Sequence, residues 1–338
     1  MKLAVDAMGG DHAPEAIVEG VLQAAKEFSD LSFVLVGDKD KIAPMISGQE
    51  RIEILHTTEK IEGTDAPVQA VRRKKQASMV LAVQEVREKR CAAAISAGNT
   101  GALMASGLFG VGRIKGIDRP ALAPTLPTIH ENRGFLFLDV GANAECRPEN
   151  LLQYAMMGSI YAEKVWHRTN PKIGLLNIGT EPGKGNDLTK KAYQLLSEAP
   201  FNFVGNVESR ELLQGAADIV VADGFSGNLV LKSIEGTAMS LMSLLKETLG
   251  GSIYTKVLTG LMYGKFKSVK TRMDYSLYGG ALLFGLSAPI IKVHGAARSA
   301  AVFTAIKQAK DLVEADVVGT IESTVLDKDH AWLHNDAK

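Results

Sequence analysis

A short, continuously apolar run, then a turn of Gly, Asp or Asn, then a helical stretch recurs along most of the chain, and this alternation constrains the fold more than any other feature. KLAV (Lys2 to Val5) ends in Asp6-Ala7-Met8-Gly9-Gly10-Asp11-His12, and Pro14 sits where a helix favours a first-turn proline, opening a segment to about Phe28. SFVLVG ends at Gly37-Asp38 and RIEILH at Thr57. CAAAIS ends at Ala97-Gly98-Asn99-Thr100-Gly101 and opens a helix of small residues. FLFLDV ends at Gly141-Ala142-Asn143, KIGLLNI at Gly179-Thr180-Glu181, and FNFVG at Asn206-Val207-Glu208. Strands that are apolar throughout, each followed by a helix, bury both faces, so the expected fold is α/β: a mostly parallel sheet covered by helices on both faces.

In such sheets ligands sit beyond the carboxyl ends of the strands, so the polar turns are expected to share one rim. The most suggestive is IVVADGFSGNLVLK (Ile219 to Lys232). A β-branched run stops at Asp223, Gly224 to Gly227 read as a tight turn, and Asn228 reads as the N-cap of a helix to about Leu249. Unpaired N–H groups and the positive dipole end at a helix start suit an anion such as phosphate. The plainer reading is an ordinary βα loop. What favours a cleft that grips something polar is the recurrence of DAMGGD, SAGNTG, DVGAN, NIGTE, NVE and DGFSGN at successive strand ends, although Gly, Asn and Asp are also simple turn formers.

Composition removes several classes of function. The 338 residues carry 38 Lys plus Arg against 38 Asp plus Glu, so no overall field recruits nucleic acid. Cys91 and Cys146 stand alone, without metal-ligand spacing or a disulfide framework, which fits a reducing, cytoplasmic location. Met1 passes directly into an expected strand, leaving no room for a secretory leader, and no run of about 18 apolar residues is unbroken by charge or glycine. Gly110-Val111-Gly112 with Gly116 imitates a dinucleotide fingerprint but ends a helix rather than following a strand. Gly179 to Gly185 imitates a Walker A loop but is one spacer short and lacks its Ser/Thr. Asp6 and Asp11 have no third ligand at a suitable spacing, so no metal and no cofactor is expected. His12 and His294 are the histidines nearest to polar turns, and lone histidines are more often structural.

Gly250 to Arg272 breaks the pattern. Ile253, Tyr254, Val257, Leu258, Leu261 and Met262 recur at helical spacing, with Lys256, Lys265, Lys267, Lys270 and Arg272 among or after them. Glycines at 250, 251, 260 and 264 suggest a projecting helical hairpin. Such an element could dock on an anionic membrane surface, form a subunit contact or receive an acidic partner, the alternative being an amphipathic core helix.

Taken together, DAMGGD, SAGNTGA, DVGAN, NIGTE with its following KG, VVADGFSGN, and YGGA followed by IKVHG resemble the phosphate acyltransferase family known as PlsX, over Met1 to about Val317. Ser233-Ile234-Glu235-Gly236 departs from the commoner wording and touches packing more than chemistry. The resemblance implies transfer of a fatty acyl group from acyl carrier protein to inorganic phosphate for phospholipid synthesis. It also implies an isocitrate/isopropylmalate dehydrogenase-like, phosphotransacetylase-like fold, dimeric, with a cleft between two lobes. The division expected is 1–125 with 273–338, and 126–272. Phosphate is its own nucleophile, so the site needs an anion cradle and oxyanion donors rather than a triad; one such donor contributes roughly 3 to 4 kcal/mol to lowering the barrier.

On that basis Ser96, Gly98, Asn99, Thr100, Ser226, Gly227 and Asn228 are expected to bind phosphate. Lys184, Asn228, Asn99 and His294 are expected to serve catalysis, Lys184 by neutralising phosphate or stabilising the oxyanion. Asp6, Asn143, Asn177, Glu181, Asn206, Glu208 and Asp223 are expected to orient the thioester or brace the loops. The 250–272 hairpin, through Ile253, Val257, Leu258, Leu261, Met262, Lys265 and Lys267, is expected to touch an anionic membrane or the carrier protein, giving a cytoplasmic, peripherally membrane-associated homodimer that hands its product to a membrane glycerol-phosphate acyltransferase. The competing expectations are a phosphotransacetylase acting on acyl-coenzyme A and a non-enzymatic scaffold that recruits lipid-synthesis proteins to the membrane.

Overall fold

The computed structural model describes residues 1–130, 134–250, 262, 264 and 279–327. In chain order its strands are β1 (Lys2–Asp6), β2 (Ser32–Gly37), β3 (Ile52–His56), β4 (Ala93–Ser96), β5 (Ala121–Ala123), β6 (Thr125–Pro127), β7 (Gly134–Leu138), β8 (Lys172–Asn177), β9 (Asn202–Glu208), β10 (Ile219–Val221), β11 (Ala281–Phe284) and β12 (Ile290–Lys292). They form two sheets, one of order β3-β2-β1-β4-β12-β11-β5 and one of order β6-β7-β10-β8-β9. All pairs are parallel except β11 with β12, β11 with β5, and β6 with β7. The mostly parallel α/β class expected from the apolar runs is thus present, distributed over two sheets.

Both faces of the inner strands are buried, which is why those strands do not alternate in polarity, whereas the edge strands β3 and β9 are partly exposed. Leu3 and Val5 face one core and Ala4 the other, as do Leu136 and Leu138 against Phe135 and Phe137. The first core takes helices Glu15–Glu27, Pro148–Lys164, Ser299–Glu314 and Val317–Leu326. The second takes Pro67–Arg73, Ser78–Arg87 and Thr100–Gly110. Burying a single Leu or Phe side chain stabilises by about 1.5–3 kcal/mol, so the two cores hold the strand ends, and the loops on them, in fixed relation.

Two local expectations are corrected. The helix after β10 runs Gly224–Gly250, so Asn228 lies in its second turn and is not the N-cap. Asp223 holds the capping position: its Oδ1 accepts from Ser226 N at 2.8 Å, and its carbonyl accepts from Gly227 N at 2.9 Å. Gly224 and Gly227 read as turn glycines, but they are needed for close packing: a Cβ on Gly227 would sit 1.9 Å from the Asp139 carbonyl oxygen. Likewise FNFVG does not stop at Gly205. A register shift in the β8–β9 pairing, with Gly205 at φ +91, lets β9 continue, so Asn206 and Glu208 are strand residues rather than turn residues. The hairpin residues Ile253, Val257, Leu258, Leu261, Lys265 and Lys267 lie outside the described residues; Met262 is exposed.

Candidate active site

A cavity of about 280 Å³ is lined from both sheets. Thr100 follows β4. Leu122 and Thr125 belong to β5 and β6, and Val140 and Gly141 follow β7. Asn228, Leu231, Lys232 and Glu235 project from the Gly224–Gly250 helix, and Lys292, Val293 and His294 close the far side. Five of the motifs picked out in the sequence therefore converge: SAGNTG, DVGAN, DGFSGN, YGGA and IKVHG.

The first wall is fixed by a buried polar node. Ser96 Oγ donates to Asp6 Oδ2 at 2.6 Å and accepts from Gly98 N at 3.0 Å, while Met8 N donates to Asp6 Oδ1. Ser96 and Asp6 thus spend their polar atoms on holding the DAMGGD and SAGNTG loops together. Asn99 caps the Thr100–Gly110 helix by accepting from Ala102 N, and its amide reaches Gly63 O. Thr100 is left facing the cavity.

The second wall is organised by Asp139, a wholly buried carboxylate that the sequence reading passed over. Its Oδ1 accepts from the N–H groups of Leu122, Gly141 and Ala142, and its Oδ2 from Asn143 N and Nδ2, at 2.7–3.1 Å. Burial pushes the Asp139 carboxyl up, and those donors pull the other way. Asn143 Nδ2 also donates to Pro120 O, and Asn143 O accepts from Gly224 N. DVGAN is therefore a folded-back loop that sets the start of the Gly224–Gly250 helix and, one turn on, Asn228. The only signal for Asp139 was its place at the end of FLFLDV, where a fully apolar strand gives way to an acid.

The third wall carries the cations. Lys292 ends β12 beside Ser96 of β4 and is only 8% exposed. Its ammonium donates to the carbonyls of Ala97, at 3.3 Å, and Val293. Burial lowers its pKa to about 8, while Asp6 and Asp11 oppose the shift. Lys232 is paired with Glu235, with 2.6 Å between Nζ and Oε2. His294 Nδ1 accepts from Ala296 N, and burial lowers its pKa, with Glu235 opposing and Lys292 adding to the shift. That arrangement favours a neutral ring with its proton on Nε2. Lys292 was missed because a lysine after Ile-Ile reads as the exposed end of a strand, although IKVHG itself had been marked.

Over residues 1–320 the chain matches the model of the family described as "Fatty acid synthesis protein". The chain belongs to the fatty acid synthesis protein family. Among curated relatives, "Phosphate acyltransferase" of Bacillus pumilus (strain SAFR-032) is 61% identical over 325 residues, 96% of this chain and 98% of that protein. Its namesake from Geobacillus sp. (strain WCH70) is 59% identical over the same shares. Similar solved structures include EutD phosphotransacetylase from Staphylococcus aureus, with TM-score 0.56 and 16% identity over 94% of each chain. A branched-chain phosphotransacylase from Enterococcus faecalis V583 has TM-score 0.58 and 16% identity over 92% of this chain and 99% of its own. These neighbours show that the fold is phosphotransacetylase-like, and family membership makes the chain an acyltransferase.

In this family member Asn177, Glu181, Lys184, Asn206 and Glu208 lie outside the cavity lining, around β8 and β9. Asn177 Nδ2 donates to Lys184 O and to Asn206 Oδ1, and Asn206 Nδ2 donates to Glu181 O, so these buried amides hold the base of the 178–186 loop. Lys184 is half exposed and lies 3.8 Å from Glu181 Oε1. Glu208 pairs with Arg210 and caps the short helix Ser209–Gln214. Asp223, Ser226 and Gly227 are engaged in the cap described above. Of the expected site residues, Thr100, Asn228 and His294 line the cavity.

Proposed function

We propose that this acyltransferase moves a fatty acyl group from acyl carrier protein to inorganic phosphate. The observation that carries the reading is the cationic cavity where these five motifs meet, lined by amide, hydroxyl and imidazole groups, with neither Ser nor Cys among its described lining residues. The two cysteines are poor nucleophiles, since burial raises both thiols, Cys91 to about 11. The nucleophile is then the acceptor itself. A hydrogen-phosphate oxygen attacks the thioester carbonyl carbon, the C–S bond breaks with its electron pair on sulfur, and the phosphate proton ends on the carrier thiol, leaving acyl phosphate.

Asn228 and Thr100 face the phosphate, and the imidazole of His294, which lines the same cavity, serves the oxyanion or the departing sulfur. The loop that carries Lys184 is anchored by Asn177 and Asn206 and brings its charge to the thioester from the solvent side. The two sheets act as two lobes about this cleft. The exposed Met239, Leu241 and Leu244 on the Gly224–Gly250 helix form an apolar face that supports a peripheral membrane contact, from which product hand-over by a homodimer would follow. No helix among the described residues is long and apolar enough to cross a membrane.

The test is to offer long-chain acyl carrier protein or acetyl-coenzyme A with phosphate and to follow acyl phosphate as hydroxamate. Consumption of the carrier-bound thioester is expected. Consumption of acetyl-coenzyme A alone would make the protein a phosphotransacetylase like its structural neighbours.

A further inference from the structure

Among the charged groups of the cavity, Lys292 is the one without an acidic partner in contact. An ammonium offers three N–H donors. Two of them go to the carbonyls of Ala97 and Val293, and no ion pair joins Lys292 to a carboxylate among the described residues. Of the acids around it, Asp6 is bonded to Ser96 and Met8 N, Glu235 is taken by Lys232, and Asp11 acts on Lys292 through its charge without pairing with it. A cation held so deeply with one donor unspent is costly unless an anion arrives, and Lys232 across the cavity adds a second positive charge to attract one. Lys184, by contrast, is half exposed and sits beside Glu181, outside the cavity lining.

We infer that Lys292 is the cation that takes inorganic phosphate, its third N–H meeting a phosphate oxygen while Asn228 and Thr100 face the same anion. The site rests on the acyl-transfer reading only for its role in turnover; anion binding stands by itself. Its placement at the end of β12, in register with Ser96, fixes the anion against the SAGNTG loop. Val293 N bonded to Ser96 O at 2.9 Å continues that register beyond the strand.

Two variants test it. Lys292→Met removes the charge and keeps all but the last atom of the side chain's length. Lys292→Gln removes the charge but retains an amide that can donate to the Ala97 and Val293 carbonyls, so the loop junction is preserved. Initial rates are measured with phosphate and acyl carrier protein varied in turn, and melting is followed with phosphate or with chloride at equal ionic strength. The expected result is a phosphate KM raised by about 10- to 100-fold, the range for a lost hydrogen bond to a charged group. The carrier-protein KM should be unchanged, and the stabilisation by phosphate expected of the wild type should disappear. An unchanged phosphate KM in Lys292→Gln overturns the assignment, as does a parallel rise in both KM values, which marks a merely structural lysine. If the wild type forms no acyl phosphate, the acyl-transfer reading fails, yet loss of phosphate stabilisation in Lys292→Gln still supports the site. A wild type that phosphate does not stabilise overturns it.

Discussion

Replacing Gly227 by alanine would place a methyl carbon 1.9 Å from the carbonyl oxygen of Asp139, more than 1 Å inside the 3.0 Å that real Cβ contacts respect. Neither side can yield cheaply. The Asp139–Val140 backbone is pinned by Asp139 N to Ala222 O and Val140 N to Leu122 O, both at 3.0 Å, and by the N–H donors on the Asp139 carboxylate. The helix start is held in turn by the Asp223 cap. Overpacking against backbone of this kind is expected to cost about 3 kcal/mol, the upper end for an inserted methyl group. For a chain of this size that is a fall in Tm of roughly 5 °C.

The displacement falls on Asn228, one residue on. A shift of about 1 Å at a positioning group can lower turnover by about 100-fold, so Gly227→Ala should damage catalysis more than stability. Gly236→Ala is the control. It lies in the same helix with nothing within 4 Å of its Cβ, and should gain up to about 1 kcal/mol from helix propensity alone. Differential scanning calorimetry and acyl-phosphate assays on both variants decide the matter. A Gly227→Ala protein that melts and turns over like Gly236→Ala would refute the packing argument.

Four further outcomes are expected. The buried Lys292 has a folded-state pKa of about 8 against 10.5 when exposed, so between these values the unfolded chain binds more protons and stability rises with pH. Subtracting Lys292→Met melts, which share every other titrating group including Asp6, Asp11, Lys232, Glu235 and His294, should isolate a rise of about 3 kcal/mol from pH 8 to 10.5; a flat difference contradicts it. Lys184→Ala should slow acyl-phosphate formation by about 10-fold or more while leaving phosphate stabilisation intact, and an undiminished rate removes Lys184 from the mechanism. Aspartates in place of Leu258 and Leu261 should release the protein from anionic vesicles in a flotation assay, and unchanged binding sinks the membrane role. Ser106 Oγ is buried with no hydrogen-bond partner among the described residues, so Ser106→Ala should be neutral or stabilise by about 1 kcal/mol, whereas a marked fall in Tm would mean the hydroxyl is satisfied.

Local pattern revealed β1 to β4 and β7 to β10, including the short β4 and β10, because runs such as SFVLVG and KIGLLN are apolar throughout and are each followed by a polar turn. It did not reveal β5, β6 and β11, which have three or four residues and antiparallel partners brought from far along the chain. The rim loops were legible as a group but not by role. Asn143, Asn177, Asn206 and Ser96 were read as ligand donors, yet their polar atoms are spent inside the protein, because an amide that holds a loop and one that holds a ligand look alike in sequence. Gly224 and Gly227 misled for a similar reason: glycine marks a turn and a close approach equally well, and only the neighbour across the gap, here Asp139, tells them apart. Lys292 could not be placed because its burial depends on β4, almost two hundred residues earlier.

That separation has a consequence during synthesis. The hydrogen bond from Lys292 to Ala97 spans 195 positions, and β4 has β1 on one side and β12 on the other. As the chain leaves the ribosome, β1 to β4 can pair early, but β4 must wait with one open edge while all of the second sheet is made. The central strand of the first sheet is thus temporarily an edge strand, apolar and unpaired, for more than half of translation. Folding should accordingly be slow to finish and sensitive to interruption between residues 222 and 290, and no truncated nascent chain will hold phosphate, since the anion site is assembled last.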